Sequence, residues 1–166
     1  MWSKGKIPNN IIEQDYLILD YFNEQFNDKA TANEWDNLYG NIYKTGDLAD
    51  FRVTQPIWIT KIINHFNLKN SATTFYKMTP GCILPYHKDK YIKYSKYFNI
   101  SNPQNITRVI IFLENWQPGH IFEINGVPIY NYKKGTYVQW QYDTEHLAAN
   151  LGKTNRYTLQ LTGTLK

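Results

Sequence analysis

The hydrophobic pattern of the chain changes period near residue 70. In IIEQDYLILDYFNEQFND (residues 11–28) apolar positions recur every three or four residues, which predicts an amphipathic helix. A polar, turn-rich segment follows to about residue 50. TQPIWITKIINHFN (54–67) predicts a second helix, with Thr54 as its candidate cap and Pro56 in its first turn. Ile59, Ile62, Ile63 and Phe66 repeat there at helical spacing, so both helices should lay an apolar face on another layer.

From residue 71 onward the pattern is that of strands. ATTFYKM (72–78) is β-branched and aromatic, and RVIIFLENW (108–116) holds a short continuous apolar run. HIFEI and VPIYNY flank Asn125-Gly126, the strongest hairpin signal in the chain. After Gly135, Val138, Trp140 and Tyr142 alternate with polar neighbours. RYTLQLTG places Tyr157, Leu159 and Leu161 on one face and Arg156, Thr158 and Gln160 on the other. The expected fold is mainly β, a double-sheet jelly roll with N-terminal packing helices. Residues 1–166 read as one domain, with 1–70 mostly helical support and 71–166 the β core. No repeat or linker divides them.

Composition narrows the classes. At 166 residues, 42% apolar and 19% charged, the chain can bury a core. Its one cysteine, Cys82, excludes an intramolecular disulfide and reads as a small buried hydrophobe. No leader pattern and no run of about 20 apolar residues is present, so the expected location is cytoplasmic and no membrane partner is expected. The net charge of +4 is modest. Among 18 basic residues only Arg52, Arg108 and Arg156 are arginines, so each raises the question of what a rigid planar cation serves.

The candidate chemistry lies in PYHKDKY (85–91). In a strand, His87 and Asp89 share a face. His146, in DTEHLAAN, is the candidate third ligand. Two imidazoles and one carboxylate form a facial triad that suits Fe(II) and leaves coordination positions open. Arg156, ten residues after His146 and on the polar face of the last strand, could grip a carboxylate by two parallel hydrogen bonds. A His-x-Asp pair alone is common by chance; with His146, the arginine and the strand periodicity, the metal site outweighs a polar turn. His65 reads as a packing or polar helix residue. His120 reads as a turn residue and the best spare ligand, while Trp116 and Trp140 read as core or rim aromatics.

The segment 72–163 resembles the double-stranded β-helix of 2-oxoglutarate- and Fe(II)-dependent oxygenases, through the spacing of His87, Asp89, His146 and Arg156. YKMTPGCILPYHKD is similar to the metal-ligand strand of the aspartyl/asparaginyl hydroxylase and free-proline hydroxylase branches. DTEHLAANLGKTNR is similar to the same branches around the distal histidine, including Asn150. Small members of this size also occur in bacteriophages. The resemblance implies that His87, Asp89 and His146 bind Fe(II), and that Arg156, with Tyr76, holds the distal carboxylate of the cosubstrate 2-oxoglutarate. Arg108 matches an arginine of the hydroxylase branch that contacts bound ligand. The implied reaction consumes O2, releases succinate and CO2, and hydroxylates an amino acid or a peptide or protein side chain.

Two departures qualify the resemblance. The aspartyl hydroxylase pattern lacks the carboxylate that Asp89 supplies. The nucleic-acid demethylases of the superfamily carry a further arginine where this chain has Thr162, which weighs against nucleic acid as a partner. Two other classes compete: a metal-binding cupin-like jelly roll without oxygenase activity, which needs no clamp at Arg156, and a nucleic-acid-binding module using the Lys/Tyr-rich segment. Residues 90–105 are polar, aperiodic and long for a connection, and are expected to be a lid over the site.

Overall fold

The computed structural model describes residues 1–23, 29–40, 43–50 and 56–165. In chain order the strands and helices are β1 (Trp2–Lys6), α1 (Lys29–Tyr39), β2 (Asp47–Asp50), α2 (Ile57–His65), β3 (Leu68–Met78), β4 (Ile83–Lys88), α3 (Ile92–Phe98), β5 (Ile106–Phe112), β6 (His120–Ile124), β7 (Val127–Pro128), β8 (Thr136–Gln141), β9 (Glu145–Asn150) and β10 (Arg156–Leu165). Two antiparallel sheets face each other. The larger runs β1-β8-β5-β10-β3-β2 and the smaller β4-β9-β6-β7. The fold is the expected mainly-β double-stranded β-helix.

The larger sheet is covered on both faces, which explains why β5 is a continuous apolar run instead of an alternating one. Val109 and Ile111 of β5 and Leu159 and Leu161 of β10 pack with Trp58, Ile59 and Ile62 of α2. Ile110, Phe112, Val138 and Trp140 point the other way and meet Phe122, Ile124 and Ala148 of the smaller sheet. Asn125 and Gly126 have φ of 47° and 75°, as the predicted tight hairpin requires, and join Ile124 to its partner Val127.

The first seventy residues differ from the sequence expectation. The predicted helix over 11–28 is replaced by 3-10 turns at Asn9–Ile11 and Asp15–Ile18, then a single bridge from Phe22 to Leu48. Residues 24–28 lie outside the described residues. Tertiary contacts override the periodicity: Tyr16 is buried with its hydroxyl on the Leu113 carbonyl, and the Asp15 carboxylate accepts from the Trp58 indole. α1 lies in the segment expected to be turn-rich, and buries only Thr31 and Trp35. The same region also supplies strands β1 and β2, so it is not mostly helical. α2 is where expected, with Pro56 at its N-cap; the candidate cap Thr54, and Arg52, lie outside the described residues.

Candidate metal and anion site

β4 and β9 run side by side with His87 directly opposite His146. A bulge makes this pairing productive. Two residues of β4, Pro85 and Tyr86, oppose one of β9, so Leu84 and His87, three apart, both turn inward while Tyr86 is exposed. Asp89 lies one residue past the end of β4. The ligand atoms of His87, Asp89 and His146 all lie within 4.8 Å of one another, a span that one ion can bridge. Each imidazole Nε2 is 3.9 Å from an Asp89 oxygen, His87 from Oδ1 and His146 from Oδ2.

Backbone carbonyls set the tautomers. His87 Nδ1 is 2.8 Å from the Pro85 oxygen and His146 Nδ1 is 3.1 Å from the Thr144 oxygen. A carbonyl can only accept, so each Nδ1 carries a proton and Nε2 is the ring nitrogen that faces Asp89. Burial, then the neighbouring His87, pushes His146 down to about 4, which keeps it neutral at pH 7. Burial alone would raise the Asp89 carboxyl, but Arg108 with the two imidazoles holds it well below the usual carboxylate range. Two imidazoles and an ionised carboxylate are the donor set that Fe(II) and similar divalent ions favour.

The three donors open into a cavity of about 690 Å³ between the sheets. Arg156, Thr158, Gln160 and Thr162 of β10 line it at alternate positions. Arg156 is only 3% exposed. Its neighbours are the Met78 sulfur at 3.1 Å and the faces of Phe112 and Phe122 at 5.5 and 5.8 Å. The nearby Tyr132 phenol is kept protonated by burial. Arg156 Nε makes no hydrogen bond, and among the described residues no carboxylate pairs with this guanidinium. A buried cation without an anion costs stability unless something else supplies the charge.

Tyr76 lines the same cavity. Its hydroxyl oxygen accepts the Gly46 N–H at 2.7 Å, so its own proton remains to be donated. That contact needs glycine at 46: a Cβ would come within 2.6 Å of the Lys77 carbonyl and 2.9 Å of the Tyr76 ring. Asn150, fully buried, holds the turn before Arg156: its amide donates to the Met78 and Thr154 carbonyls at 2.7 and 2.8 Å, and its oxygen accepts from Gly152 N at 3.0 Å.

Arg108 behaves differently from Arg156. Its Nε and Nη2 both reach Asp89 Oδ2 at 3.1 Å, and its Nη1 reaches Gln160 Oε1 at 3.3 Å. It enters from β5 opposite Thr162. His120, the spare ligand, lies outside the cluster; it is buried against Thr154, 3.3 Å from that carbonyl. His65 packs edge-on against Phe66 at 5.0 Å. Cys82 is buried, and Trp140, 2% exposed, sits 4.7 Å from the His146 ring as core. Trp116 is partly buried and donates its indole N–H to the His120 carbonyl at 2.8 Å.

Residues 90–105 are more ordered than a bare loop. They form α3 and a 3-10 turn at Pro103–Asn105. Left-handed residues Tyr91 and Asn99, with φ of 52° and 56°, bound α3, and the Tyr94 hydroxyl donates to the Asn70 carbonyl at 2.8 Å. Residues Lys90 to Tyr94 line the cavity. Trp35, which no sequence motif marks, donates to the Tyr86 carbonyl at 3.3 Å and sits edge-on to the His87 ring at 5.2 Å. The one signal was a tryptophan in an otherwise polar stretch.

Neither a protein-family model nor a curated protein matches the sequence. Among solved structures, the chain is similar to a Pseudomonas putida prolyl-4-hydroxylase at 14% identity, covering 99% of this chain and 92% of that one, with a TM-score of 0.59. A cupin domain of Schizosaccharomyces pombe Cnp3 aligns at 12% identity over 75% and 68%, with a TM-score of 0.46. A predicted oxalate decarboxylase from Thermotoga maritima aligns at 17% over 72% and 81%, with a TM-score of 0.45. The likeness to the hydroxylase is one of fold. No helix among the described residues is long and apolar enough to cross a membrane.

Proposed function

We propose that the protein is an Fe(II)- and 2-oxoglutarate-dependent dioxygenase that hydroxylates an amino acid or a peptide side chain. The observation that carries this reading is Arg156, a buried guanidinium with no anionic partner among the described residues, in the same cavity as the two-imidazole, one-carboxylate cluster. A metal-binding jelly roll that holds no dicarboxylate gains nothing from that buried cation.

His87, Asp89 and His146 would hold the iron, and Arg156 and the Tyr76 hydroxyl the distal carboxylate of 2-oxoglutarate. Iron so held supplies the oxygen-activating chemistry, in which substrate, O2 and 2-oxoglutarate become hydroxylated substrate, succinate and CO2. The protein orients and shields. The Pro85 and Thr144 carbonyls fix the imidazoles, and Asn150 fixes the turn that presents Arg156. Leu84, Phe122 and Trp140 give the cavity an apolar wall, and α3, whose Ile92, Lys93 and Tyr94 line it, would close it against water.

The test is an anaerobic titration with Fe(II), then 2-oxoglutarate, watched for the weak visible charge-transfer band of the chelate. Stoichiometric Fe(II) uptake and the band are expected. Metal uptake with no band and no 2-oxoglutarate binding would favour the cupin-like alternative.

A further inference from the structure

We infer that Arg108 is a positioning residue that holds Asp89 to metal coordination through a single oxygen. The inference rests on reading His87, Asp89 and His146 as a metal site.

Each donor of the cluster needs something to aim it. The two histidines lie within paired strands and are aimed by the carbonyls of Pro85 and Thr144. Asp89 lies past the end of β4, where no ladder fixes its backbone. Its anchor comes from outside, on a strand paired on both sides: β5 lies between β10 and β8, with Arg108 opposite Thr162 and Trp140.

The grip is one-sided. Arg108 Nε and Nη2 both address Oδ2, at 3.1 Å each, and neither is given to Oδ1. Oδ1 is the oxygen 3.9 Å from His87 Nε2. Oδ2 also stands 3.9 Å from His146 Nε2, so a carboxylate released from Arg108 has both oxygens near the imidazoles and could chelate. A chelating carboxylate fills one more coordination position than a singly bound one. Arg108 therefore protects the open positions that a bound cosubstrate and oxygen require. The rest of the guanidinium is engaged too, with Nη1 on Gln160 and its face over the Tyr91 ring at 5.2 Å. That occupancy separates Arg108 from a ligand clamp, the role Arg156 is built for.

Co(II) is the probe, because its visible bands report coordination number. Arg108→Lys keeps the charge but loses the two-point grip. It should bind Co(II) roughly tenfold or more weakly, the usual loss when an outer partner of a metal ligand is removed. Its Co(II) spectrum should shift in position and intensity from wild type, and Arg108→Gln should shift it as far. Both variants retaining wild-type Co(II) affinity and spectrum would overturn the inference, all the more if 2-oxoglutarate binding alone were weakened.

Should the variants not fold, wild-type protein carrying 13C at its aspartate carboxyl carbons decides the matter. The infrared difference between Zn(II)-loaded and metal-free protein should show the wide carboxylate splitting of single-oxygen coordination. The narrow splitting of a chelate overturns the inference. Wild-type protein that takes up neither Co(II) nor Zn(II) removes the metal site itself, whereas metal uptake with chelation or with unchanged variants removes only the role of Arg108.

Discussion

Replacing Arg156 with methionine separates what the guanidinium costs from what it holds. Methionine fills similar volume and can pack on Phe112 and Phe122, the rings 5.5 and 5.8 Å from the present cation. In the ligand-free protein the change removes a buried cation whose Nε has no acceptor, an omission that costs about 1–3 kcal/mol. Giving up the cation–π attraction to the two rings offsets part of this, leaving a net gain of about 1 kcal/mol. For a chain of 166 residues that raises the melting temperature by about 2–4 °C. With ligand the order reverses. A charge-assisted contact to a carboxylate contributes about 1.5–3 kcal/mol, or roughly one to two decades of affinity. At a 2-oxoglutarate concentration about 100 times its dissociation constant, wild type gains about 2.7 kcal/mol, a rise of about 5–10 °C. The variant should rise by only about 1–5 °C under the same conditions. The assay is thermal unfolding with saturating Mn(II) in place of Fe(II), with and without 2-oxoglutarate. A variant that melts below wild type without ligand yet shows the full ligand-induced rise would refute the reasoning, since Arg156 would then be scaffold.

Three further outcomes are expected. His87→Ala and His146→Ala should each abolish stoichiometric Fe(II) binding with the far-UV circular dichroism unchanged; anaerobic titration checks this. The metal-free protein should weaken as pH falls from about 6.5 toward 4. His146, pushed down to about 4 by burial and His87, and His120, lowered by burial, take up protons more readily when unfolded, so their stabilisation is present above about 6.5 and lost through that window. The His146 share lost between pH 7 and 4.5 is about 2 kcal/mol, readable in urea unfolding at those two values, and absent from His146→Gln. Shortening the segment around α3 should suppress substrate hydroxylation while leaving succinate formation running, and a shortened protein that hydroxylates at the normal rate would remove the lid role.

The strands and the cluster were legible because their periodicity agrees with their burial. The alternation in RYTLQLTG predicts which residues of β10 reach the cavity; Asp89, expected to share a strand face with His87, instead lies one residue past the end of β4 and joins the cluster from there. The register that sets His87 against His146 was not legible, because it depends on a bulge at Pro85 and Tyr86 that alternation alone does not reveal. The helix expected over 11–28 failed because Tyr16 and Asp15 find better partners in Leu113 and Trp58 than a helical turn offers. α1 leaves no apolar stripe in the sequence, because only Thr31 and Trp35 of its residues are buried. β1 is an edge strand, Trp2 to Lys6, with no apolar residue after its first. The pairing of Arg108 with Asp89 joins residues that α3 and its turns separate in sequence, and only the assembled sheets bring them together.

In β10, residue parity divides two kinds of consequence. Arg156, Thr158, Gln160 and Thr162 border the cavity, while Tyr157, Leu159 and Leu161 pack in the layer under α2. Mutations along this strand should therefore sort into two nearly separate sets. Changes at odd positions alter abundance through folding, and changes at even positions alter what the cavity accepts. Selection for a new ligand can then move along the even positions with little toll on the scaffold. A library confined to Thr158, Gln160 and Thr162 would reshape the chamber while leaving the helix-bearing layer as it is.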